Sequence, residues 1–430
     1  FDVFISQDGQ TYRYLINNAN FESYIKVVKV DAETGKTIPY AGAGFQIYDP
    51  AGNKVSMTFT YPTPTTINTF YTDADGQLVT PEKLEYGKGY SLVEVQAPYG
   101  YVLDSTPVPF DVTEENSTQE GGITLIKVDK PNMAQKGTIS VEKTGEVFFG
   151  VNVFGEKDKD VIYQPVYTVK GLAGAVYEIT ADEDIITPDG TLRYHKGDVV
   201  DTVTTDDEGF AKSKELYLGK YTVVEIKAPN GMVINNEKHS VELTYAGQDV
   251  AVTETVTSFY NERQKVKISL EKVLEQNDTF GIGTNDEIKN ISFGLYAKED
   301  IVSSSGTVIP AEGLIEIITL DENGTAIANT DLPFGSYYIK EIATDEHYIL
   351  SDTQYPFTFE YAGQDTEIVE IKVNDGKPIE NKLIYGSVSG KKIDENGEAL
   401  GGALIGIFKA DESEFTKEHA IMTATSEKDG

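Results

Sequence analysis

Three lysines in this 430-residue chain are each followed, far downstream, by a glutamate and then by an Asx residue. The sets are Lys29, Glu94 and Asp129; Lys143, Glu225 and Asn261; and Lys272, Glu341 and Asn381. An amine, a carboxyl catalyst and a side-chain amide or acid are the reactants of a spontaneous isopeptide bond. A neutral amine is a nucleophile where an ammonium is not. A protonated glutamate can polarise the Asx carbonyl and shuttle protons, and a fold that holds the groups together supplies proximity. Asn261 and Asn381 would release ammonia. Asp129 would release water and must first be protonated. A chain that does this acts chemically on itself alone.

Such chemistry needs burial, because a dry surrounding lowers the pKa of lysine and raises that of glutamate. Alternate residues of a strand share a face. Ile139, Val141 and Lys143 then point one way, as do Val266, Ile268, Leu270 and Lys272, and Ile25, Val27 and Lys29. The glutamates follow the same rule in Tyr90-Leu92-Glu94, Tyr221-Val223-Glu225 and Tyr337-Ile339-Glu341. Lysine and glutamate are rarely buried without a partner. For any one lysine, a structural ion pair or a snorkelling side chain is the plainer explanation; recurrence in three sets favours the bond. The alternation around Asp129 (Ile123, Leu125, Lys127, Asp129) is less regular than in the other sets.

The elements that would position these groups recur. Opening strands read IKVVKVDAETGK (25–36), ISVEKTGE (139–146), ISLEKVLE (268–275) and VSGKKIDENG (388–397). Each leads to a small-residue stretch and an aromatic strand, at 41–49, 172–180, 291–299 and 401–410. Acidic turns follow: TDADG (72–76), TDDEG (205–209), LDENG (320–324) and SEKDG (426–430). The glutamate strands are YSLVEVQAPYGY (90–101), YTVVEIKAPNGM (221–232) and YYIKEIATDEHY (337–348), and YAGQD occurs at 245–249 and 361–365. The lysines are 114, 129 and 120 residues apart, counting Lys392 as the fourth. A period this long exceeds a solenoid repeat and suits an independent domain. Short strands between turn clusters indicate all-β sandwiches. Insertions at 50–70, 182–200 and 300–314 read as loops or edge hairpins. The expected division is 1–21 as the tail of an upstream region, repeats at 22–132, 133–262 and 263–383, and a truncated fourth at 384–430. Asn261 and Asn381 each reach the next lysine in 11 residues, so the closing strand of one repeat runs almost directly into the next and a semi-stiff, elongated rod is expected. Asn18 also precedes Lys29 by 11 residues, the place of a last-strand Asn in an upstream domain.

Composition narrows the partners. Seventy acidic against 36 basic residues give a net charge of −34, which opposes nucleic acid, whose binding needs basic surface, and anionic membranes. Such charge keeps a surface molecule soluble. Cysteine is absent, and the four histidines (His195, His239, His347, His419) are scattered, so disulfides, thiolate metal sites and triad catalysis are not expected. Neither a cofactor nor a metal is expected. The acidic turns lack the full ligand loop of a calcium site and read as β-turns. No apolar run reaches the length of a membrane span. Phe1 and Gly430 fall mid-pattern, as in an internal piece of a longer protein.

Taken together, the VKVD and VEKTG opening strands, the Y-x-[LV]-x-E-x-x-A-P-x-G segments and the closing Asx strands resemble the collagen-adhesin B-type repeat. These are the prealbumin-like, or pilin-type, domains of Gram-positive surface proteins. The resemblance covers about residues 22–430. It implies reverse immunoglobulin-like β-sandwiches with an isopeptide bond joining first and last strands. It also implies Lys29, Lys143 and Lys272 as nucleophiles, Glu94, Glu225 and Glu341 as catalytic carboxyls, and Asp129, Asn261 and Asn381 as electrophiles. Lys392 matches the nucleophile of a fourth set whose other members are missing. The third repeat departs from the pattern with Ala343-Thr344-Asp345 where Ala-Pro-x-Gly is expected. No Tyr-Pro-Lys pilin motif, no sorting signal and no thioester cysteine is present, which points to a stalk region rather than a major pilin or an adhesin head. The expected function is an extracellular, cell-wall-associated structural stalk, with other domains of the same protein as partners and no enzyme activity on an external substrate. Two alternatives stay open. One is an adhesive module for host matrix or glycan, using a loop such as 55–70. The other is a non-catalytic accessory region of a secreted enzyme.

Overall fold

The computed structural model of the chain describes residues 8–9, 11, 19–155 and 161–430; Asn18 lies outside the described residues. Among those described, the chain is nearly all strand, interrupted by two short 3-10 turns at Glu287–Asn290 and Val373–Gly376. The tandem sandwiches expected from the strand pattern are present. Contacts gather the described residues into two units. The first lies within Phe1–Thr144, Gly171–Pro229 and Ile234–Asn261, and the second within Gly145–Lys170, Asn230–Val233 and Glu262–Gly430.

The first repeat shows how the sequence makes a sandwich. The opening strand Glu22–Asp31 alternates buried and half-buried positions from Ser23 to Val27 and then buries Val28 and Lys29 as well. It lies parallel to the closing strand Ile123–Asn132, with Lys29 opposite Lys130 and Asp31 opposite Asn132. Gln77–Val79 and Leu84–Glu85 pair with it antiparallel. The facing sheet runs Phe70–Tyr71, Gly44–Tyr48, Gly87–Gln96, Val108–Val112. Ile25, Val27, Phe45, Ile47 and Leu92, all fully buried, fill the space between. Burial of this kind contributes about 1.5–3 kcal/mol per large apolar side chain.

The second and third repeats repeat this plan. Val176–Ala181 and Gly219–Lys227 form the centre of the second repeat's outer sheet, and Ser292–Ala297 and Gly335–Ala343 that of the third. In the third, the closing strand is broken into Ile368–Lys372 and Ile379–Asn381, both parallel to the opening strand Lys265–Leu274. In all three repeats an aromatic residue sits directly across from the glutamate: Phe45 opposite Glu94, Tyr177 opposite Glu225, Phe293 opposite Glu341. The insertions at 50–70, 182–200 and 300–314 carry the hairpins Met57–Phe59 with Thr65–Ile67, Ile185–Ile186 with Leu192–Tyr194, and Ile301–Val302 with Val308–Ile309. A longer insertion escaped the sequence reading. The strand Lys136–Phe154 runs well past Lys143 and pairs with Ile162–Gly171. Phe148, Val151 and Tyr163 of this arm pack against the third repeat's core. In the fourth segment the strands Leu404–Ile407 and Met422–Thr425 pair with each other.

The short linkers contain a recurring clasp. Gln135, 1% exposed, stands three residues after Asn132. Its Nε2 donates to the carbonyls of Gly247 and, at 2.5 Å, Val250, and its Oε1 accepts from Ala246 N–H at 2.8 Å. Gln264, three residues after Asn261 and also 1% exposed, treats the third repeat alike: Nε2 donates to Gly363 and Thr366 carbonyls, and Oε1 accepts from Ala362 N–H. The two YAGQD segments are thus the loops that a linker glutamine grips. Removing such a side chain leaves part-buried backbone groups without their partner, at about 1–3 kcal/mol. Gln135→Ala should therefore speed hydrogen exchange at Ala246 N–H by at least about tenfold, while amides in the first and second cores keep wild-type protection.

Candidate functional site

The lysines, glutamates and closing asparagines meet inside each sandwich. Lys29 and Glu94 are fully buried, and Lys143, Lys272, Glu225 and Glu341 are no more than 2% exposed. Lys29 Nζ lies 3.0 Å from Glu94 Oε1, Lys143 Nζ 3.1 Å from Glu225 Oε1, and Lys272 Nζ 3.6 Å from Glu341 Oε1. In the second repeat Lys143 Nζ sits against Asn261 Oδ1. In the third, Lys272 Nζ is 2.6 Å from Asn381 Oδ1. The asparagine amide turns its other end to the carboxylate. Asn261 Nδ2 donates to Glu225 Oε2 at 2.8 Å, and Asn381 Nδ2 to Glu341 Oε1 at 2.7 Å.

The first repeat corrects one expectation. Asp129 is not at the site: it lies on the outer face of the closing strand, half exposed and paired with Lys127 at 3.0 Å. Strand parity is the reason. Val128, Lys130 and Asn132 point inward, whereas Lys127, Asp129 and Pro131 point out. The residue at the site is Asn132, 1% exposed. Its Oδ1 meets Lys29 Nζ, and its Nδ2 donates to Glu94 Oε2 at 2.7 Å and to the Val102 carbonyl at 2.6 Å. The sequence held the signal. Asn132 precedes Lys143 by the same 11 residues that separate Asn261 from Lys272 and Asn381 from Lys392. Lys392, by contrast, is exposed, with its Nζ on the carbonyl of Ile393.

Backbone groups hold the triads in place. A backbone N–H ten residues beyond each glutamate donates to its Oε2: Asp104 at 3.1 Å, Asn235 at 2.8 Å and Ser351 at 3.0 Å. Each lysine is fixed from behind by an acidic turn. The backbone N–H groups of Lys29, Lys143 and Lys272 donate to the carbonyls of Gly76, Gly209 and Gly324 at 2.9, 2.7 and 2.7 Å. The aspartate that opens each turn closes it: Asp206 Oδ1 accepts from the Glu208 and Phe210 amides, and Asp73 and Asp321 do the same in their turns. These turns are structural parts of the site. Among the described residues no cluster of three or more His, Asp or Glu is arranged to hold a metal.

Burial sets the amine chemistry. Desolvation holds Lys29 well below the usual lysine value, at about 8, against the opposing pull of Glu94. Lys143 and Lys272 are likewise lowered by burial, opposed by Glu225 and Glu341. In the second and third repeats the amine also lies over aromatic faces: Tyr177 and Phe259 at 5.9 and 6.0 Å, and Phe293 at 5.9 Å. An amine that loses its proton readily, a carboxyl beside it and an amide carbon between them can condense.

The same sandwiches are recognised at the level of sequence. The SpaA prealbumin-like fold domain matches residues 23–127, 165–257 and 280–377. The chain belongs to this family. Its prealbumin-like repeats are pilin-like and resemble those of Gram-positive surface proteins. The trypsin-resistant surface T6 protein of Streptococcus pyogenes serotype M6 is 27% identical over 139 residues, which are 31% of this chain and 24% of that protein. Among solved structures, the Bacillus anthracis TIE protein is 22% identical with a TM-score of 0.48, covering 84% of this chain and 51% of that one. BcpA, the major pilin subunit of Bacillus cereus, is 16% identical with a TM-score of 0.28, covering 84% of this chain and 100% of that one. The chain therefore spans about a quarter of the T6 protein and about half of TIE.

The acidic-turn glycines of the prealbumin-like repeats tolerate no side chain. Gly209 has φ +86°, and a Cβ there would lie 2.4 Å from the Lys143 carbonyl oxygen. Gly209→Ala should destabilise the second repeat by about 1–3 kcal/mol, read as earlier guanidinium unfolding of that repeat's amides by hydrogen exchange, with the third repeat unchanged.

Proposed function

We propose that the chain is part of an extracellular structural stalk of a Gram-positive cell-surface protein, each of whose three complete repeats is stapled by a self-formed Lys–Asn isopeptide bond. The observation that carries this reading is the triple recurrence of a buried lysine, glutamate and asparagine in contact across the first and last strands. Membership in the prealbumin-like family and the surface proteins among its relatives support the location. The chain acts on no external substrate in this reading, and its partners are other domains of the same surface protein.

The chemistry proceeds within each triad. Proton transfer from the lysine ammonium to the glutamate carboxylate gives a neutral pair, which a dry interior favours over two charges. Rotating the asparagine amide brings its oxygen to the protonated glutamate and its carbon to the amine. Lysine Nζ attacks asparagine Cγ, and the glutamate protonates the oxygen. The glutamate, now a carboxylate, takes a proton from the attacking nitrogen and passes it to the departing one, which leaves as ammonia while the hydroxyl returns its proton to the glutamate and the carbonyl reforms. The Nζ–Cγ bond replaces the Cγ–Nδ2 bond, and no oxidant or co-reactant is needed. The linked residues are 103, 118 and 109 positions apart. By analogy with a disulfide, closing a loop of that size removes denatured-state entropy equivalent to about 4–5 kcal/mol.

Intact-mass measurement on the folded chain should show a deficit of three ammonias. Asn132→Ala should remove one of the three and Asp129→Ala none. Glu225→Ala should leave the second repeat folded but unlinked, with two ammonias lost. A folded wild-type chain of unmodified mass would falsify the isopeptide reading. Formation of the first bond should proceed below about pH 8, where the Lys29–Glu94 pair still holds the one proton the mechanism uses, and slow above it as Lys29 loses that proton to solvent. Above that pH its rate should fall about tenfold per pH unit, followed by acid-quenched peptide mapping after folding.

A further inference from the structure

The loop that follows the buried lysine occupies the same place in the first two repeats. A backbone bond to the lysine closes its base: Ile38 N–H donates to the Lys29 carbonyl at 2.9 Å, and Leu172 N–H to the Lys143 carbonyl at 3.1 Å. In the first repeat this loop is the turn 31–36, and in the second it is the arm 145–170. Each meets the hairpin inserted in the repeat that follows. The Phe148 and Phe149 carbonyls of the arm accept from Ser304 and Ser305 N–H at 3.0 and 3.1 Å, at the tip of the hairpin Ile301–Val302 with Val308–Ile309. The turn 31–36 meets the hairpin Ile185–Ile186 with Leu192–Tyr194 through side chains. Thr34 Oγ1 donates to Asp189 Oδ2 at 2.8 Å, and Lys36 Nζ to Thr191 Oγ1 at 2.9 Å. The Arg193 guanidinium lies 3.0 Å from Glu33 Oε2 and 3.5 Å from Asp31 Oδ2, and it stacks over the Tyr217 ring at 4.5 Å. A guanidinium laid on a ring between two carboxylates is fixed in orientation as well as place.

The turn is shaped from within its own repeat. Asp31 is buried; its Oδ1 accepts from the Glu33 and Thr34 amides, each at 2.8 Å, and its Oδ2 accepts from the Tyr101 hydroxyl at 3.0 Å. An aspartate that caps the amides two and three residues ahead sets a turn locally. The turn is also tied to the triad. Ala32 N–H donates to the Asn132 backbone carbonyl at 2.9 Å, and Asp31 is the register partner of Asn132. For the turn to leave the hairpin, the end of the opening strand must fray from the closing strand. Strand ends open locally at a small fraction of the global unfolding free energy. A covalent link from Lys29 to Asn132 halts that fraying two residues before Asp31.

We propose that the turn 31–36 is a docking element for the second repeat, received by the hairpin that carries Arg193, and that the Lys29–Asn132 cross-link holds it in its docked position. The second half of this rests on the isopeptide reading. The chain has no cysteine, so Lys88→Cys with Lys238→Cys, both at exposed positions, puts one spin label on the first repeat and one on the second. Pulsed electron resonance then gives the distribution of the distance between them, and intact mass gives the bonds present in each sample. The otherwise wild-type labelled chain should give a single narrow distribution. Arg193→Ala should broaden it by about twofold or more, as a joint without its interface becomes mobile, while all three bonds still form. Asn132→Ala and Glu94→Gln should each lose the first bond and broaden the distribution too, although both leave the residues of the turn and the hairpin unaltered. Asp129→Ala, on the outer face of the same strand, should change neither readout. A distribution as narrow in Arg193→Ala as in the parent would overturn the docking role. A parent-like width in both Asn132→Ala and Glu94→Gln, with the first bond absent, would overturn the role of the cross-link and leave the isopeptide reading standing. A parent chain without the first bond would overturn that reading together with the role of the cross-link, and Arg193→Ala would still decide the docking.

Discussion

Each repeat is organised around a lysine and a glutamate that have been taken out of water together. Removing either charge from solvent is penalised by several kcal/mol, and their attraction offsets this only when geometry and the remaining hydrogen bonds are well satisfied. The rest of the repeat supplies those conditions. The closing strand must lie beside the opening strand, in parallel register, so that the inward position two residues beyond the lysine's register partner is an asparagine. A backbone N–H ten residues beyond the glutamate must reach its second oxygen. The acidic turn must offer a glycine carbonyl to the lysine's own amide. None of these is a packing requirement, and a sandwich with leucine and valine at the two charged positions would need none of them.

In the proposed stalk, the same constraint would give each repeat a mechanical axis. The strand that enters the sandwich and the strand that leaves it are direct neighbours, and the triad sits between them near the point of exit. The proposed covalent bond at that point would carry tension from opening to closing strand without loading the hydrogen bonds of the facing sheet. The path from one triad's asparagine to the next lysine is 11 residues long, too short to absorb much extension as coil.

Much of this was legible from alternation alone. Lys143 and Lys272 share a strand face with isoleucine, valine and leucine, and the three glutamates share one with tyrosine and an aliphatic residue, so both were assignable to the interior before any coordinates. The first repeat's electrophile was not, because its closing strand offers two candidates three residues apart, Asp129 and Asn132, which lie on opposite faces. Only pairing fixes which face is inward, and register is a tertiary property. Spacing to the next lysine would have broken the tie. The acidic turns were read correctly as turns, but their hold on the lysine amide depends on a hydrogen bond between segments more than forty residues apart. The arm formed around Phe148 and Tyr163 belongs to one repeat only, so the recurrence that marks the shared strands carries no sign of it.

The shared YAGQD segments illustrate the converse, a motif whose meaning lies at the other end of the repeat that carries it. Its alanine N–H and glycine carbonyl are met by a glutamine eight residues before the buried lysine, Gln135 for Lys143 and Gln264 for Lys272. Where the glutamine is missing, so is the motif. Phe21 stands eight residues before Lys29, and the first repeat has Thr113-Glu114-Glu115-Asn116 after its corresponding strand instead of YAGQD. A phenylalanine cannot pair with a loop's backbone groups, and Phe21 packs instead against the apolar core of its own repeat. Glutamine and YAGQD therefore behave as one unit split across the sequence, as expected when the buried glutamine amide would be left unpaired without the loop.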